Sequence, residues 1–314
     1  MIRTPSDLVR SYLDTTTRHI DRVRDGNQKE TFRCVLGDGR TVYVQLGGAD
    51  LRHEIALHRD LASRSVVPVP AMLANGCSSE QTFFITEAVP GVRLTDVLTA
   101  LDAAACSELC RTLGRYLGCL HNAYAFDGHG YVVEQDGALV VDRPRTARTV
   151  ICDLLDRGLS AFPSPLADLR RSVHTSLTRT AIPADEPATL YPWDFRPGNM
   201  RWQDGAVSGL LDWGTPMAAP AAVGVAKAMY VTLDWFELTA YRSAFLAGYQ
   251  SVRTLSVDGA YWQFASVLAV VRSAVDSQGA VTRPFHPMAD EPTAFAFHRG
   301  HLEGLLTDDV RPPP

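Results

Sequence analysis

Three oxygen-bearing side chains fall at a spacing suited to phosphoryl chemistry: Asp194, Asn199 and Asp212. Asn199–Trp202 reads as a short strand, Gln203-Asp204-Gly205 as a turn and Ala206–Leu211 as the returning strand, because Asp-Gly between apolar runs is a strong hairpin signal. A hairpin sets the first residue of one strand beside the last of the other, so Asn199 and Asp212 meet at its open end. Asp194 precedes Asn199 by five residues, in a loop with Pro197 and Gly198. A carboxylate beside an amide is poor core material. It suits a hard cation, because Mg²⁺ takes few protein oxygens and completes its shell with water and phosphate. A second carboxylate nearby can accept the proton of a substrate hydroxyl. Base, amide and metal-binding carboxylate together are the working parts of phosphoryl transfer.

The elements that must position these residues are legible as periodicities. Ser11–Arg24 is expected to be helical, with sparse apolar positions at Leu13, Ile20 and Val23. Thr31–Leu36 and Thr41–Leu46 alternate around Gly37-Asp38-Gly39 and predict an antiparallel hairpin. Ala49–Ser63 predicts a helix with Leu51, Glu54, His58 and Leu61 on one stripe. A glutamate on a buried stripe requires a partner. Val66–Pro70 is extended, since alternating prolines forbid helix. Gln81–Thr86 is a strand, and Glu87-Ala-Val-Pro-Gly91 breaks the chain after it. Ser107–His121, capped by Ser107, is a strong helix; Phe126–Tyr131 is a Gly-rich loop; Val150–Leu159, Leu166–Arg179, Ala221–Ala247 and Tyr261–Val275 read as helices. His298 and His301 lie near Glu303, on what is expected to be a solvated helix face rather than a metal site. Strands come early and helices late, which argues for an α+β fold of two lobes.

Composition bounds the function. With 314 residues and 46% hydrophobic content the chain can build a sizeable core. A net charge of -5 without a basic tract excludes nucleic acid as an expected partner. No apolar leader opens the chain, and Tyr261–Val271 is too short to cross a bilayer, so no membrane role is expected. Six cysteines without a Cys-x-x-Cys pair predict buried free thiols and a cytoplasmic setting.

At Asp194-x-x-x-x-Asn199 and Leu211-Asp212-Trp213-Gly214 the chain resembles the aminoglycoside phosphotransferase family, protein-kinase-like enzymes that phosphorylate small molecules. The resemblance implies a small nucleotide-covering antiparallel-sheet lobe over residues 1–86, a hinge at 87–91 and a larger, mainly helical lobe over 92–314. It implies Asp194 as the catalytic base, with Asn199 and Asp212 on Mg²⁺. ATP or GTP would be the co-substrate, its purine edge held by the backbone at Glu87 and Val89 and its phosphates covered by Asn27–Thr31. The acceptor would be a hydroxylated antibiotic, natural product, sugar or amino alcohol, lying near Trp235, Glu237 and Asp276.

The chain departs from the family pattern at three places. Pro192-Trp193 replaces the His-Gly before the catalytic Asp, and Ala221-Ala222-Val223 replaces a later acidic residue. Gln45 stands where the family has a phosphate-binding lysine that a glutamate, here Glu54, orients. Two readings follow. In the first, the cation has moved to Lys29 or Arg33 and Glu54 orients it there. In the second, phosphoryl transfer is lost and the chain is a binding protein or a repurposed enzyme of the same fold.

Overall fold

The computed structural model describes residues 3–23, 29–77, 81–178, 180–183, 186–278, 288 and 290–307. In chain order the elements are α1 (Pro5–Leu13), β1 (Thr17–Val23), β2 (Glu30–Leu36), β3 (Thr41–Gly47), α2 (Leu51–Arg64), β4 (Met72–Cys77), β5 (Thr82–Glu87), β6 (Val92–Arg93) and the short α3 (Leu94–Val97). Then come α4 (Ala103–Ala123), β7 (Ala125–Phe126), β8 (Gly130–Gln135), β9 (Ala138–Val141), α5 (Ala147–Ser160), α6 (Arg170–Thr178), β10 (Ala188–Tyr191), β11 (Met200–Gln203) and β12 (Ala206–Leu210). The chain continues through β13 (Met217–Pro220), α7 (Ala221–Met229), α8 (Arg242–Gln250), α9 (Gly259–Asp276) and α10 (Glu291–Thr307). The α+β class expected from the sequence is the one observed.

Two compact units divide these elements. The first comprises Met1–Thr99, Val132–Val140 and Pro197–Pro216; the second holds the remainder. The β11–β12 hairpin, which the resemblance assigned to the larger lobe, groups with the first unit for a local reason. Its strand β11 pairs with β6, through Trp202 opposite Val92 and Arg201 opposite Arg93.

The first unit is an antiparallel sheet in the order β1-β2-β3-β5-β4. Strict alternation on β3 buries Val42, Val44 and Leu46 against Leu8 and Val9 of α1, with Cys34, Leu36, Phe83 and Ile85. The opposite face meets α2 through Leu51, Ile55 and Phe84. Gln45 belongs to this second face and lies opposite Thr31 on β2 and Phe84 on β5. The predicted stripe of α2 is buried as expected, including Glu54 and His58. His58 satisfies its ring through a 2.7 Å hydrogen bond between Nε2 and the Pro70 carbonyl, on the extended segment the prolines predicted.

The hairpin is locked to the segments before β4 and after β5. Leu210 N–H donates to the Pro68 carbonyl at 2.8 Å, and the Ser208 hydroxyl donates to the Pro90 carbonyl at 2.7 Å. Gly91 has φ +99°, and a Cβ there would sit 2.3 Å from the Trp202 carbonyl oxygen. Gly91→Ala is therefore expected to destabilise the first unit by about 1–3 kcal/mol from backbone strain alone. An unchanged midpoint of chemical unfolding would show that the turn relaxes freely.

Of the helix expected over Ser11–Arg24, only Ser11–Leu13 is helical, as the end of α1, and Arg24 lies outside the described residues. Asp14 takes the left-handed conformation at φ 49° and ends α1 after Leu13. The β-branched run Thr15-Thr16-Thr17 then favours extended chain, and Thr17–Val23 pairs along β2.

In the second unit, β10 pairs with β7 and β13. Helices α4 and α8 meet at glycines: a Cβ on Gly114 would lie 1.8 Å from the Phe245 carbonyl, and one on Gly248 would lie 1.9 Å from that of Arg111. The cap of α4 is Asp102, accepting from Ala105 N–H at 2.8 Å, so the helix begins four residues before the expected Ser107. The Gly-rich stretch 126–131 contributes to β7 and β8 rather than forming only a loop. The long helix expected over Ala221–Ala247 is interrupted: α7 passes into a π-turn at Tyr230–Asp234, and Glu237 adopts φ 59° before α8. His298 is fully buried rather than solvated. Its Nδ1 pairs with the Tyr230 hydroxyl at 2.7 Å and its Nε2 with the Ser277 hydroxyl at 3.0 Å. Among the described residues the cysteines are free; Cys34, Cys106 and Cys110 are buried and Cys77 is exposed. No helix among the described residues is long and apolar enough to cross a membrane.

Candidate active site

The hairpin forms as the Asp-Gly signal requires, with Asp204 at φ 50° and Gly205 at φ 81° in its turn. Met200 faces Leu210, and Leu211 N–H donates to the Asn199 carbonyl at 2.8 Å. Asn199 and Asp212 are thus brought to one end of the hairpin. Asp212 leaves the strand at φ 64°, in the left-handed region where Asp is among the better tolerated residues.

An ion cluster surrounds Asp212. Lys29 Nζ contacts Glu54 Oε1 and lies 3.0 Å from Asp212 Oδ1. The side chains differ in exposure: 13% for Lys29, 6% for Glu54 and 44% for Asp212. Glu54 also accepts from the backbone N–H of Trp213. Gly214 completes the corner, since a Cβ there would lie 3.4 Å from Glu54 Oε2 and 3.5 Å from Asp212 Oδ1. Lys29 Nζ lies 5.8 Å from the centre of the Phe84 ring, and Phe84 is the register partner of Gln45. The ammonium therefore reaches the face to which position 45 belongs.

Burial works against the charge on Lys29, but the Asp212 and Glu54 carboxylates outweigh it and raise its pKa from 10.5 to about 12. The charged pair contributes fully below the ordinary value and fades only as pH rises through about 12. Burial raises the Glu54 carboxyl, with Lys29 opposing. Two carboxylates face one ammonium, which leaves the cluster short of positive charge. Asp212, the more exposed, is the one able to exchange partners.

The other cation expected from the sequence stands elsewhere. Arg33 lies opposite Tyr43 on β3 and Asp21 on β1, and its Nη1 is 3.5 Å from Asp21 Oδ2. Lys29 alone of the two candidates contacts Glu54. At the segment after β5, Glu87 N–H donates to Ala71 and Ala88 N–H to Thr41. Both are committed to the sheet, which leaves the Val89 N–H as the donor to test against a nucleotide base. Val89 also packs on the hairpin, at Gly209. Of the expected phosphate-covering loop, Asn27 and Gln28 lie outside the described residues.

In the second unit, Asp194 Oδ1 accepts from Arg196 Nε at 2.6 Å, and Arg196 N–H donates to the Asp194 carbonyl at 2.9 Å. The next residue, Phe195, is held by its carbonyl, which accepts from the buried Thr232 hydroxyl in the π-turn. Neither contact was predicted. Arg196 at two residues from the carboxylate was a readable signal; Thr232 lay inside an apparent apolar helix and was not. Of the residues expected near the acceptor, Trp235 packs on Tyr230 and His298, and Glu237 takes φ 59° in the bend before α8.

The donor set fits Mg²⁺ held jointly with phosphate. Among the described residues no group of three or more His, Cys, Asp or Glu could cage a metal alone. Asp212 and Asn199 offer two oxygens, and the cluster lacks positive charge. A hard cation that keeps water and phosphate in its shell matches that pair.

The hairpin thus carries its Asp-Trp-Gly carboxylate against the Lys29–Glu54 pair. A family model for the phosphotransferase enzyme family matches residues 19–262, and the chain belongs to that family. It is a small-molecule phosphotransferase. A homoserine kinase of Gluconobacter oxydans is 28% identical over 246 residues, covering 74% of this chain and 73% of the relative. The fold is similar to a thermostable mutant of an aminoglycoside phosphotransferase solved in ternary complex with AMP-PNP and hygromycin B. That match has a TM-score of 0.66 at 15% identity, over 97% of this chain and 98% of the other. It is also similar to a putative fructosamine-3-kinase from Thermobifida fusca, at a TM-score of 0.59 and 16% identity, over 96% and 100% of the two chains.

Proposed function

We propose that this chain moves the terminal phosphate of ATP or GTP to a hydroxyl of a small molecule, with Lys29 in the role of the missing lysine at position 45. The observation that carries the reading is the Lys29–Glu54–Asp212 cluster. Glu54 orients the Lys29 ammonium toward the nucleotide phosphates. Asp212 and Asn199 would hold Mg²⁺, and that ion would neutralise phosphate charge. Asp194, fixed by Arg196, receives the proton of the acceptor hydroxyl. The acceptor oxygen bonds to the terminal phosphorus, the bond from that phosphorus to the bridging oxygen breaks, and the nucleoside diphosphate leaves. The hinge presents Val89 N–H and the Glu87 carbonyl to the base.

Two of the structures similar in fold were solved with hygromycin B, one with AMP-PNP and one with ADP, which supports a purine nucleotide and a small-molecule acceptor here. The alternative, a non-phosphorylating member of the fold, rests on Gln45, Pro192 and Val223; Lys29 beside Glu54 supports the transferase reading against the first of these. The test is a calorimetric titration of ATP and GTP with and without Mg²⁺, followed by an assay of diphosphate release over an acceptor panel. Nucleotide affinity that requires Mg²⁺, with acceptor-dependent diphosphate release, is expected. Absence of binding at millimolar nucleotide sinks the proposal.

A further inference from the structure

Beside Asp194, the second unit assembles a group of side chains that phosphate binding does not use. Lys227 of α7 is 3% exposed, and its Nζ donates to Ser273 Oγ at 2.8 Å and to Asp276 Oδ2 at 3.3 Å. Arg272 of α9, 15% exposed, has its Nη2 3.9 Å from Asp276 Oδ1. Both cations lie over the ring of Trp193, Arg272 at 5.1 Å and Lys227 at 6.0 Å from its centre. Trp193 is the residue before Asp194 and replaces the glycine of the family pattern. Tyr191 supports its ring edge-on, with centroids 5.4 Å apart.

The group is unbalanced in two respects. Two cations face the single carboxylate Asp276, because the nearby Asp194 is paired with Arg196. Arg272 Nε is buried with no hydrogen-bond partner, and a buried donor left unmade is costly. An excess of one positive charge and an unused guanidinium donor match one planar monoanion, since the Arg fork is shaped for a carboxylate. Burial lowers the Lys227 pKa, while Asp276 and, more weakly, Asp194 oppose it. The acceptor hydroxyl must come within hydrogen-bond reach of its base. Trp193 and Asp194 are chain neighbours, with Cα atoms about 3.8 Å apart, so one short carbon chain suits an anion over Trp193 and a hydroxyl at Asp194.

We infer that the acceptor is a small hydroxylated monocarboxylate, its carboxylate held by Arg272 and Lys227 over Trp193 while its hydroxyl faces Asp194. The inference rests on the phosphotransferase reading and narrows its substrate class. A polycationic aminoglycoside would meet like charge at this place.

The test uses matched acceptors on the intact protein loaded with Mg²⁺ and AMP-PNP, then with ATP. L-homoserine is compared with 3-aminopropan-1-ol, and 4-hydroxybutanoate with 4-hydroxybutanamide; glycerol 3-phosphate supplies the phosphate arm. Each carboxylate is expected to bind, and to turn over in kcat/KM, on the order of 10²-fold better than its partner. Arg272→Gln should raise KM for the acids by about tenfold or more with a much smaller change in kcat, and Arg272→Lys should recover part of it. A merely structural role would lower kcat for every acceptor alike. Lys227→Met gives a second variant should Arg272→Gln fold poorly, with the same KM-specific loss expected. Equal binding within the pairs, preference for glycerol 3-phosphate, or no carboxylate binding at all overturns the assignment while nucleotide binding still stands. If the wild type binds no Mg²⁺-nucleotide, the phosphotransferase reading falls and takes this one with it.

Discussion

Asp194→Asn is expected to lower kcat for acceptor phosphorylation by about 10²–10⁴-fold, the range for loss of a general base, and to leave nucleotide affinity unchanged. The substitution keeps size and an acceptor oxygen, so the 2.6 Å bond from Arg196 Nε and the Thr232 bond to Phe195 should persist. It removes only the capacity to take a proton. Steady-state turnover measured beside a nucleotide titration separates the two effects. Near-wild-type kcat would take Asp194 out of the mechanism.

Asp212→Asn is expected to abolish the Mg²⁺ dependence of nucleotide binding, with affinity for the Mg²⁺ complex falling on the order of 10²-fold through loss of the charged ligand to the ion. Asparagine is chosen over alanine because the position has φ 64°, which Asn tolerates and Ala does not. The variant also takes away one of the two carboxylates that raise Lys29, so the Lys29 pKa should drop from about 12. Asn199→Ala should weaken binding less, since it removes no charge. If Asp212→Asn binds the nucleotide as tightly as wild type and still responds to Mg²⁺, the metal belongs elsewhere.

Much of this was legible because local rules governed it. The Asp-Gly turn fixed the hairpin and hence the pairing of Asn199 with Asp212 at one end. The stripe of α2 exposed Glu54 as a buried acid in want of a partner. What was not legible depended on distant chain. Lys29 and Arg33 were equivalent in sequence, and only the register of β2 against β1 set Arg33 opposite Asp21. Thr17–Val23 passed for helix because its apolar residues were sparse and its strand is largely exposed. Strands β10 and β13 were missed because all their residues are buried, so they show no alternation to read. His298 was placed on a solvated face because its partners Tyr230 and Ser277 lie far away in sequence. Lys227 carries no signal in the sequence beyond being a lysine among apolar residues, and Trp193 none beyond its departure from a motif. Their association needed α7 and α9 in three dimensions.

The measurement nearest the centre of the account is a calorimetric titration of Mg²⁺-ATP and Mg²⁺-GTP into the wild type, Lys29→Ala, Arg33→Ala and Gln45→Ala. If Lys29, clamped by Glu54, is the phosphate-binding cation, Lys29→Ala loses on the order of 10²-fold in affinity for the preferred nucleotide. Arg33→Ala and Gln45→Ala should then bind nearly as well as wild type. Undiminished affinity in Lys29→Ala, or a loss confined to Gln45→Ala, would contradict the relocation of the lysine and with it the reading of this site.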